Sequence, residues 1–432
     1  MSAEAASSSR RGWCPGVRRP MITGDGLLVR IHPPAGRLTS VQARMIAQAA
    51  KDHGNGHLDV TARGNLQIRG VREDSYGALV ECLDEGGLLE PEGDGPHRLC
   101  IVSPLAGLDP QERFDPLSLS EAVEAAAPGN LPAKICIAID GGGSILLESV
   151  GADLHVTATD DLDAVAIGLA SSGGIRWIGK ASLESVPSIA GTLLSSFVEM
   201  RQAGRTDARR LLELDPGLIR ELEALVELQP ASPPCSHANG RLAGVIDLGS
   251  GGQAVLAALP FGRCESQQLT RTADWSRDFG NDEIRLSFTR GLLLPGLAEQ
   301  SAQRVADEAR FLGFILDESD PRLSIQACPG KPACAGAFRP ASEDAVRIAQ
   351  AASHLFSQGA SIHVSGCGKG CAHPSPSDLT LVGREDGCYG VIVSGSSREK
   401  AATYLTIEDI MIRLSSLNAP GDMARAFRKD PS

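Results

Sequence analysis

The feature that most constrains the fold of this 432-residue chain is a pattern that occurs twice. In the first copy a short apolar segment, 26–32, precedes a helical segment and two more short apolar segments, 57–61 and 67–71. Thr39 and Gln42 have the spacing of a capping box, and the helix is expected to stop at Gly54. This order predicts a β-α-β-β unit.

The second copy lies at 253–288, with a strand, a helix and a further strand in the same order. Three landmarks recur: the Gly-Arg pair at 36–37 returns at 262–263, Gly-Asn at 54–55 returns at 280–281, and Arg-Gly at 63–64 returns at 290–291. The last pair requires one inserted residue. A repeated unit of this size predicts a duplication with pseudo-two-fold symmetry, although the shared residues are few and chance similarity is the alternative.

The remaining segments predict an α+β protein in which the two halves are separated by larger α/β regions. Pro230, Pro233 and Pro234 mark the clearest linker. The predicted organisation is a disordered tail at 1–18, a first half-domain at 19–75, a first α/β domain at 90–225, a linker at 226–239, a second half-domain at 240–300 and a cluster-binding α/β domain at 318–425.

The composition excludes several classes of protein. A formal net charge of −12 argues against general nucleic-acid binding, which requires a basic surface. No segment approaches the roughly 18 unbroken apolar residues of a membrane span. The 11 cysteines are scattered and odd in number, which argues against a disulfide framework and predicts a cytoplasmic location. An anionic substrate would need a local group of arginines and lysines.

Four cysteines near the C-terminus predict a metal centre: Cys328, Cys334, Cys367 and Cys371. They form a C-x5-C loop and a C-x3-C loop, and both loops are rich in glycine or proline. Four thiolates suit a tetrahedral zinc ion or a [4Fe-4S] cluster. The five-residue gap exceeds the usual spacing of zinc ligands and favours the cluster. Zinc, or four ordinary buried thiols, are the alternatives.

A second motif is less specific. Residues 249–254 match the G-x-G-x-x-A pattern of dinucleotide-binding proteins. In register with the first copy, however, Gly252 precedes a strand rather than a helix, so a tight turn is predicted. If a nicotinamide supplies electrons, it would act through a partner protein.

Several segments together resemble the nitrite and sulfite reductase hemoprotein superfamily. Residues 59–71 read Asp-Val-Thr-Ala-Arg-Gly-Asn-Leu-Gln-Ile-Arg-Gly-Val, Arg98 stands six residues before Pro104, and 131–134 read Leu-Pro-Ala-Lys. With the cysteine pattern, these matches span nearly the whole chain. The resemblance implies duplicated ferredoxin-like halves and a [4Fe-4S] cluster beside a tetrapyrrole. In siroheme members the last cysteine, here Cys371, also bridges to the siroheme iron.

The resemblance also implies binding residues. Arg63 and Gln67 match family positions that bind tetrapyrrole carboxylates, and Arg30, Arg98 and Lys134 match those that face the small anionic substrate. Taken singly, each arginine would more often be a surface charge. The second copy has Leu256 and Leu294 where Arg30 and Gln67 are expected, so binding is predicted to belong to the first half. Arg290 is a weaker candidate.

Cys136 stands where sulfite reductases have a second lysine and nitrite reductases have an asparagine. The N-terminal Gly-Trp-Cys-Pro-Gly at 12–16 instead resembles the precorrin-3B synthase family of aerobic cobalamin biosynthesis. That resemblance implies NADH- and O2-dependent hydroxylation of precorrin-3A at C20 with γ-lactone formation, and an electron-donor protein. Siroheme-dependent nitrite or sulfite reduction is the alternative, and only there would siroheme be a cofactor. Cys14 would contact the substrate or a second iron centre, or be a packed thiol.

Overall fold

A computed structural model describes residues 13–148, 150–171, 174–230, 234, 241–373 and 375–427. Within these ranges the chain forms four five-stranded sheets with helices against them, which confirms the α+β class. None of the helices in the described ranges is both long enough and apolar enough to span a membrane. Residues 1–12 of the predicted tail lie outside the described ranges.

The first half-domain contains the predicted β-α-β-β unit and two additional short strands. Its capping box is confirmed, because Thr39 Oγ1 accepts from the backbone N–H of Gln42 while the Gln42 side chain accepts from the N–H of Thr39. The elements are β1 (Met21–Thr23), β2 (Gly26–Ile31), β3 (Arg37–Thr39), α1 (Ser40–His53), β4 (His57–Val60) and β5 (Leu66–Val71), followed by α2 (Tyr76–Glu85).

The first α/β domain contains a mixed sheet. Its first three strands are parallel and the last two run antiparallel to their neighbours. The elements are β6 (Cys100–Val102), α3 (Pro116–Ala126), β7 (Ile137–Asp140), β8 (Leu154–Ala158), β9 (Ala164–Ser171), β10 (Gly174–Ser182), α4 (Val186–Gln202) and α5 (Pro216–Glu223).

The second half-domain repeats the first with a constant offset of 226 positions, the distance from Gly36 to Gly262. Glycines with left-handed backbone recur at this offset, as at Gly70 and Gly296, each of which lies against an asparagine. The elements are β11 (Gly244–Asp247), β12 (Gln253–Ala258), β13 (Arg263–Glu265), α6 (Ser266–Phe279), β14 (Glu283–Leu286) and β15 (Gly291–Leu297), followed by α7 (Glu299–Phe311). Residues 249–251 form a turn before β12, as predicted.

The predicted one-residue insertion is wrong. The N–H of Gly64 bonds to the carbonyl of Thr61, and the N–H of Arg290 bonds to the carbonyl of Ser287 in the same way. Arg290 is therefore the counterpart of Gly64, not of Arg63. Leu293 pairs with Leu256 as Gln67 pairs with Arg30, so Leu293, not Leu294, is the counterpart of Gln67.

The two half-domains exchange one strand each. β13 of the second half adds to the first sheet beside β4, and β3 of the first half adds to the second sheet beside β14. Each sheet therefore contains four strands of its own half and one of the other. This reciprocal exchange gives the predicted pseudo-two-fold symmetry a structural basis, because neither sheet is complete without the other half.

The second α/β domain has the strand order and directions of the first. Cys328 directly follows β16 and Cys367 follows β17, and these neighbouring strands are parallel. Carboxyl ends of parallel strands meet at one sheet edge, which brings the two cysteine loops together. The elements are β16 (Ile325–Ala327), α8 (Ala341–Ala351), α9 (Ser353–Phe356), β17 (Ile362–Ser365), β18 (Ser377–Gly383), β19 (Tyr389–Gly395), β20 (Thr403–Leu405), α10 (Ile407–Ser415) and α11 (Met423–Ala426).

One apolar core joins the half-domains, and it includes alternate residues of both sheets, such as Val29 and Val255. The other faces of the two sheets differ. On the second sheet, Leu256 and Leu293 pack against the first α/β domain in a second apolar cluster that includes Cys136. On the first sheet, the corresponding face is polar and open. The duplication therefore leaves one open face and one filled face.

Part of the predicted tail and linker is ordered. Trp13 to Arg18 belongs to the folded protein, because the N–H groups of Val17 and Arg18 donate to the Glu90 carboxylate, both at 2.9 Å, and Val17 is fully buried. The prediction of a disordered tail is wrong for these residues. At the start of the predicted linker, Gln229 pairs with Lys180 of β10. Residues 231–233 and 235–239 lie outside the described ranges. The domain boundaries themselves stay a prediction.

Candidate functional site

The open face of the first sheet carries a group of polar side chains. Successive residues of a strand point to opposite faces, so neighbours of the core residues Val29, Leu58 and Ile68 point away from the core. These polar residues include Arg30 on β2, Asp59 on β4, Gln67 and Arg69 on β5, and Arg263 on β13.

A cavity of about 760 Å³ separates this face from the cysteine loops. Its lining includes Arg30, Arg63 and Gln67, three of the five predicted binding residues. The opposite wall contains all four predicted ligands, Cys328, Cys334, Cys367 and Cys371. The structure therefore brings together residues that are about 300 positions apart in the sequence, from the first half-domain and the last domain.

The four thiols influence one another. Burial raises the pKa of Cys328 and of Cys371, and in each case the neighbouring cysteines raise it further. The N–H of Gly366 donates to Cys328 Sγ at 3.1 Å. Such an N–H suits a thiolate that carries charge, as a cluster ligand does.

Within the described ranges, no set of three or more His, Cys, Asp or Glu side chains is arranged to hold a metal ion. The facing thiols, with an amide donor on one sulfur, nevertheless suit the iron–sulfur assignment in donor type and number. Which residues bind the cluster stays a prediction.

Two glycines at the second cysteine loop, Gly366 and Gly370, are required by packing. A side chain at Gly366 would meet Ala337 at 2.7 Å, and one at Gly370 would collide with Ser397. Gly370 also has left-handed backbone, with φ of 60°. The second cysteine loop can follow its path past Cys367 and Cys371 only with glycine at both positions.

Arg30 and Gln67 act as a pair. When the Gln67 amide is oriented with its oxygen towards Arg30, that oxygen accepts from Nε at 2.8 Å and from Nη2 at 2.6 Å. Burial lowers the pKa of Arg30, Cys14 opposes this effect, and Arg63 reinforces it. Two partly buried guanidinium groups beside one cavity leave positive charge that an anionic ligand would neutralise.

Arg98 and Lys134 do not line the cavity. The Arg98 guanidinium donates to the carbonyls of Arg63 and Gly64, at 3.2 and 3.1 Å, and burial lowers its pKa to about 10. Lys134 is exposed, and its carbonyl accepts from Arg63 Nη2 at 3.1 Å. Both residues therefore position Arg63 in this structure, and their predicted contact with substrate stays a prediction.

Cys14 and Cys136, whose roles the sequence leaves open, are not among the residues that line the cavity. Cys14 Sγ donates to the carbonyl of Ala133 at 3.5 Å, next to Lys134. Cys136 is fully buried, and its Sγ donates to Gly151 O at 3.6 Å. Cys136 belongs to the apolar cluster behind Leu256, so a lysine there would not reach the cavity without repacking.

Sequence reasoning missed Arg69, which connects the first half-domain to the first cysteine loop. Arg69 Nη2 donates to Asp25 Oδ1 at 2.8 Å and to the carbonyl of Ala333 at 2.6 Å. Beside it, Gly24 lies so close to the backbone of Cys334 and Ala335 that a side chain at this position would collide with both. The Gly-Asp-Gly sequence at 24–26 could have indicated this contact, since it forms the turn of the β1–β2 hairpin that packs against the first cysteine loop.

Comparison with known proteins places the chain in a family. The model of the nitrite/sulfite reductase ferredoxin-like half domain matches residues 19–86 and 246–312, one match for each half. A precorrin-3B synthase from a Sinorhizobium species is 33% identical over 409 residues, covering 93% of this chain and 87% of the relative. The chain belongs to the precorrin-3B synthase family. This chain therefore contains two copies of the half domain that the nitrite/sulfite reductase family model describes.

More distant relatives match this chain over most of its length. The ferredoxin–nitrite reductase of Synechococcus elongatus is 26% identical, over 91% of this chain and 85% of its own length. A ferredoxin-dependent sulfite reductase of Mycolicibacterium paratuberculosis is 25% identical over 84% of this chain and 71% of its own. The solved structure of the Mycobacterium tuberculosis NirA protein superposes with a TM-score of 0.74 at 20% identity, covering 94% of this chain and 82% of that one. This last likeness concerns the fold alone.

Proposed function

We propose that the protein converts precorrin-3A to precorrin-3B, by hydroxylation at C20 with O2 and closure of a γ-lactone. One observation supports this most directly: a single cavity is lined by arginines on one wall and by all four predicted cysteines on the other. The volume of about 760 Å³ is in the range of pockets that enclose organic ligands. The identity with a precorrin-3B synthase supports the choice of substrate.

The chain's own residues would bind and orient the substrate. Precorrin-3A carries several carboxylates, and a net charge of −12 would repel it at long range. Binding then depends on local cations in the cavity, for which Arg30 and Arg63 are placed. A guanidinium donates two parallel hydrogen bonds to a carboxylate and so fixes its direction as well as its position. Gln67 holds Arg30 in the orientation for this role.

The reaction needs two electrons and two protons for each O2, since one oxygen atom enters the substrate and the other leaves as water. A [4Fe-4S] cluster held by Cys328, Cys334, Cys367 and Cys371 would supply electrons one at a time. We propose that NADH is the ultimate donor and that a separate electron-donor protein delivers the electrons. The 249–251 turn argues against a dinucleotide site on this chain at that motif.

Siroheme-dependent reduction of nitrite or sulfite is the alternative, because nitrite and sulfite reductases match most of this chain. The position of Cys136 counts against it, since no second lysine follows Lys134. The visible spectrum of the purified protein separates the two. A broad cluster absorption alone supports the synthase, whereas added siroheme bands support the reductase. After reconstitution with siroheme, reduced methyl viologen and sulfite should yield negligible sulfide, and rapid sulfide formation would favour the alternative.

A further inference from the structure

Arg290 has a backbone conformation that is unusual for its residue type. Its φ is 65°, in the left-handed region, and its counterpart Gly64 has φ of 62°. The turn between β14 and β15 therefore needs a left-handed residue, and the first half supplies glycine. In the second half an arginine takes this position at a conformational cost. Such strain persists where the surrounding structure enforces it, and it is concentrated at functional sites.

The lack of a side chain at Gly262 leaves space for the Arg290 side chain. Gly262 is a second left-handed glycine, and a Cβ there would come within 2.9 Å of Arg290 Cδ. At the equivalent place in the first half, a Cβ on Gly36 would meet the Arg98 guanidinium at 3.0 Å. In both halves an arginine side chain therefore packs against this glycine. The two arginines, Arg98 and Arg290, do not occupy equivalent positions of the repeat. Arg98 faces backbone carbonyls, whereas Arg290 lines the cavity.

The Arg290 guanidinium bridges the half-domain and the second cysteine loop. Its Nη2 donates to the carbonyl of Ala372 at 2.6 Å, directly after Cys371. Among the described residues, no carboxylate lies within ion-pair distance of it, and Asp59 attracts it only from farther away. Asp59 is itself bonded to Arg263 at 2.8 Å. Arg290 is therefore a mostly buried cation beside the cavity with one carbonyl partner and with further N–H donors.

We propose that Arg290 is a substrate-positioning residue that binds a carboxylate of the tetrapyrrole while it holds the second cysteine loop through Ala372. This proposal rests on the proposed function, because it takes the cavity to be the tetrapyrrole site. It adds a cation from the second half to the two of the first half, Arg30 and Arg63. A macrocycle bound to all three would be fixed relative to the loop that carries Cys371. Substrate and cysteine loop would then share one guanidinium.

Two variants separate substrate binding from loop support. Arg290→Gly places in the turn the residue that the first half uses, so the backbone is relaxed while charge and donors are lost. Arg290→Lys keeps a charge, but a single ammonium lacks the fork that serves Ala372 and a carboxylate together. Ser394→Gly is the matched control, because Ser394 is exposed and has φ of 50° but lies outside the cavity lining.

The experiment is a fluorescence titration of the iron-loaded proteins with uroporphyrin III, a tetrapyrrole octacarboxylate. Iron and sulfide are measured in each protein first. We expect Arg290→Gly to bind about tenfold more weakly than wild type, Arg290→Lys to lie between them, and Ser394→Gly to equal wild type. Kinetics with precorrin-3A should show a raised KM, which loop support alone would not produce at unchanged iron content.

Each other outcome is decisive. If wild type binds uroporphyrin III and both Arg290 variants bind it equally well at full iron content, the proposal is wrong while the proposed function stands. If Arg290→Gly loses its iron, the comparison passes to Arg290→Lys: intact iron with weaker binding supports the proposal, and any other result overturns it. If wild type itself does not bind, the tetrapyrrole cavity is refuted and the proposal with it.

Discussion

Replacing Arg69 with methionine tests how the first half-domain is coupled to the cysteine loops. Methionine keeps much of the side-chain volume but removes the charge and every donor. The Arg69 side chain is 5% exposed and that of Asp25 is 13% exposed, so their ion pair is buried. Removing one partner of a buried pair typically costs about 3–5 kcal/mol, because the other charge is left unpaired.

The structure indicates that the cost of Arg69→Met lies at the lower end of that range. Asp25 keeps hydrogen bonds from Thr23 Oγ1 at 2.8 Å and Asn55 Nδ2 at 3.0 Å. Asp59, the second carboxylate near Arg69, keeps Arg263. The Ala333 carbonyl loses its donor. We therefore expect Arg69→Met to destabilise the protein by about 3 kcal/mol, mainly by making the first cysteine loop easier to open.

Iron release to a chelator under anaerobic conditions measures this opening. A loss of about 3 kcal/mol raises the open population roughly a hundredfold, and iron release should accelerate by a similar factor if the loop recloses quickly. Arg72→Met is the control, because Arg72 is 54% exposed and pairs with a largely exposed Asp74 at 3.5 Å. It should change the rate by less than about threefold. Equal rates for Arg69→Met and wild type would refute the coupling.

Three further predictions follow from the site. Cys334→Ala should lose most of its iron and sulfide, whereas the buried Cys264→Ala should keep both; full iron in the Cys334→Ala protein would exclude this ligand. Arg63→Ala should weaken uroporphyrin III binding at least about tenfold with unchanged iron, and Arg63→Lys should restore only part of it; normal binding by the alanine variant would place the pocket elsewhere. Burial raises the pKa of Glu112 to about 8, so the folded state favours the protonated carboxyl and stability should fall as pH rises from about 4.5 towards 8. In Glu112→Gln the Tm should lose this part of its pH dependence, and an unchanged pH profile would contradict the shift.

Much of the fold could be predicted because it depends on local signals. The capping box at Thr39 and the glycine that ends α1 give the helix its bounds, and the cysteine spacing indicates two loops. The exchange of β3 and β13 could not be predicted in this way, since each strand has three residues and its partner lies in the other half. Pairing between distant segments leaves no periodic trace in so short a strand.

The errors at the site arose where residue identity was used but backbone conformation or packing decides. The two Arg-Gly pairs, 63–64 and 290–291, look equivalent in the sequence. The left-handed residue of the turn is the glycine of the first pair, Gly64, but the arginine of the second pair, Arg290. Arg290 therefore takes the place of Gly64. Nothing in the sequence singled out Arg69 within the 59–71 segment. Only the packing of the 24–26 turn against the first cysteine loop shows that it is buried and bridges two domains.

The most direct test of the account is turnover of precorrin-3A by the iron-loaded protein under 18O2 with a chemical reductant. We expect a product that contains one labelled oxygen atom and a γ-lactone by mass spectrometry, and no product without O2 or with Cys334→Ala. Unlabelled product, or equal conversion in the absence of O2, would contradict oxygen-dependent hydroxylation in this cavity.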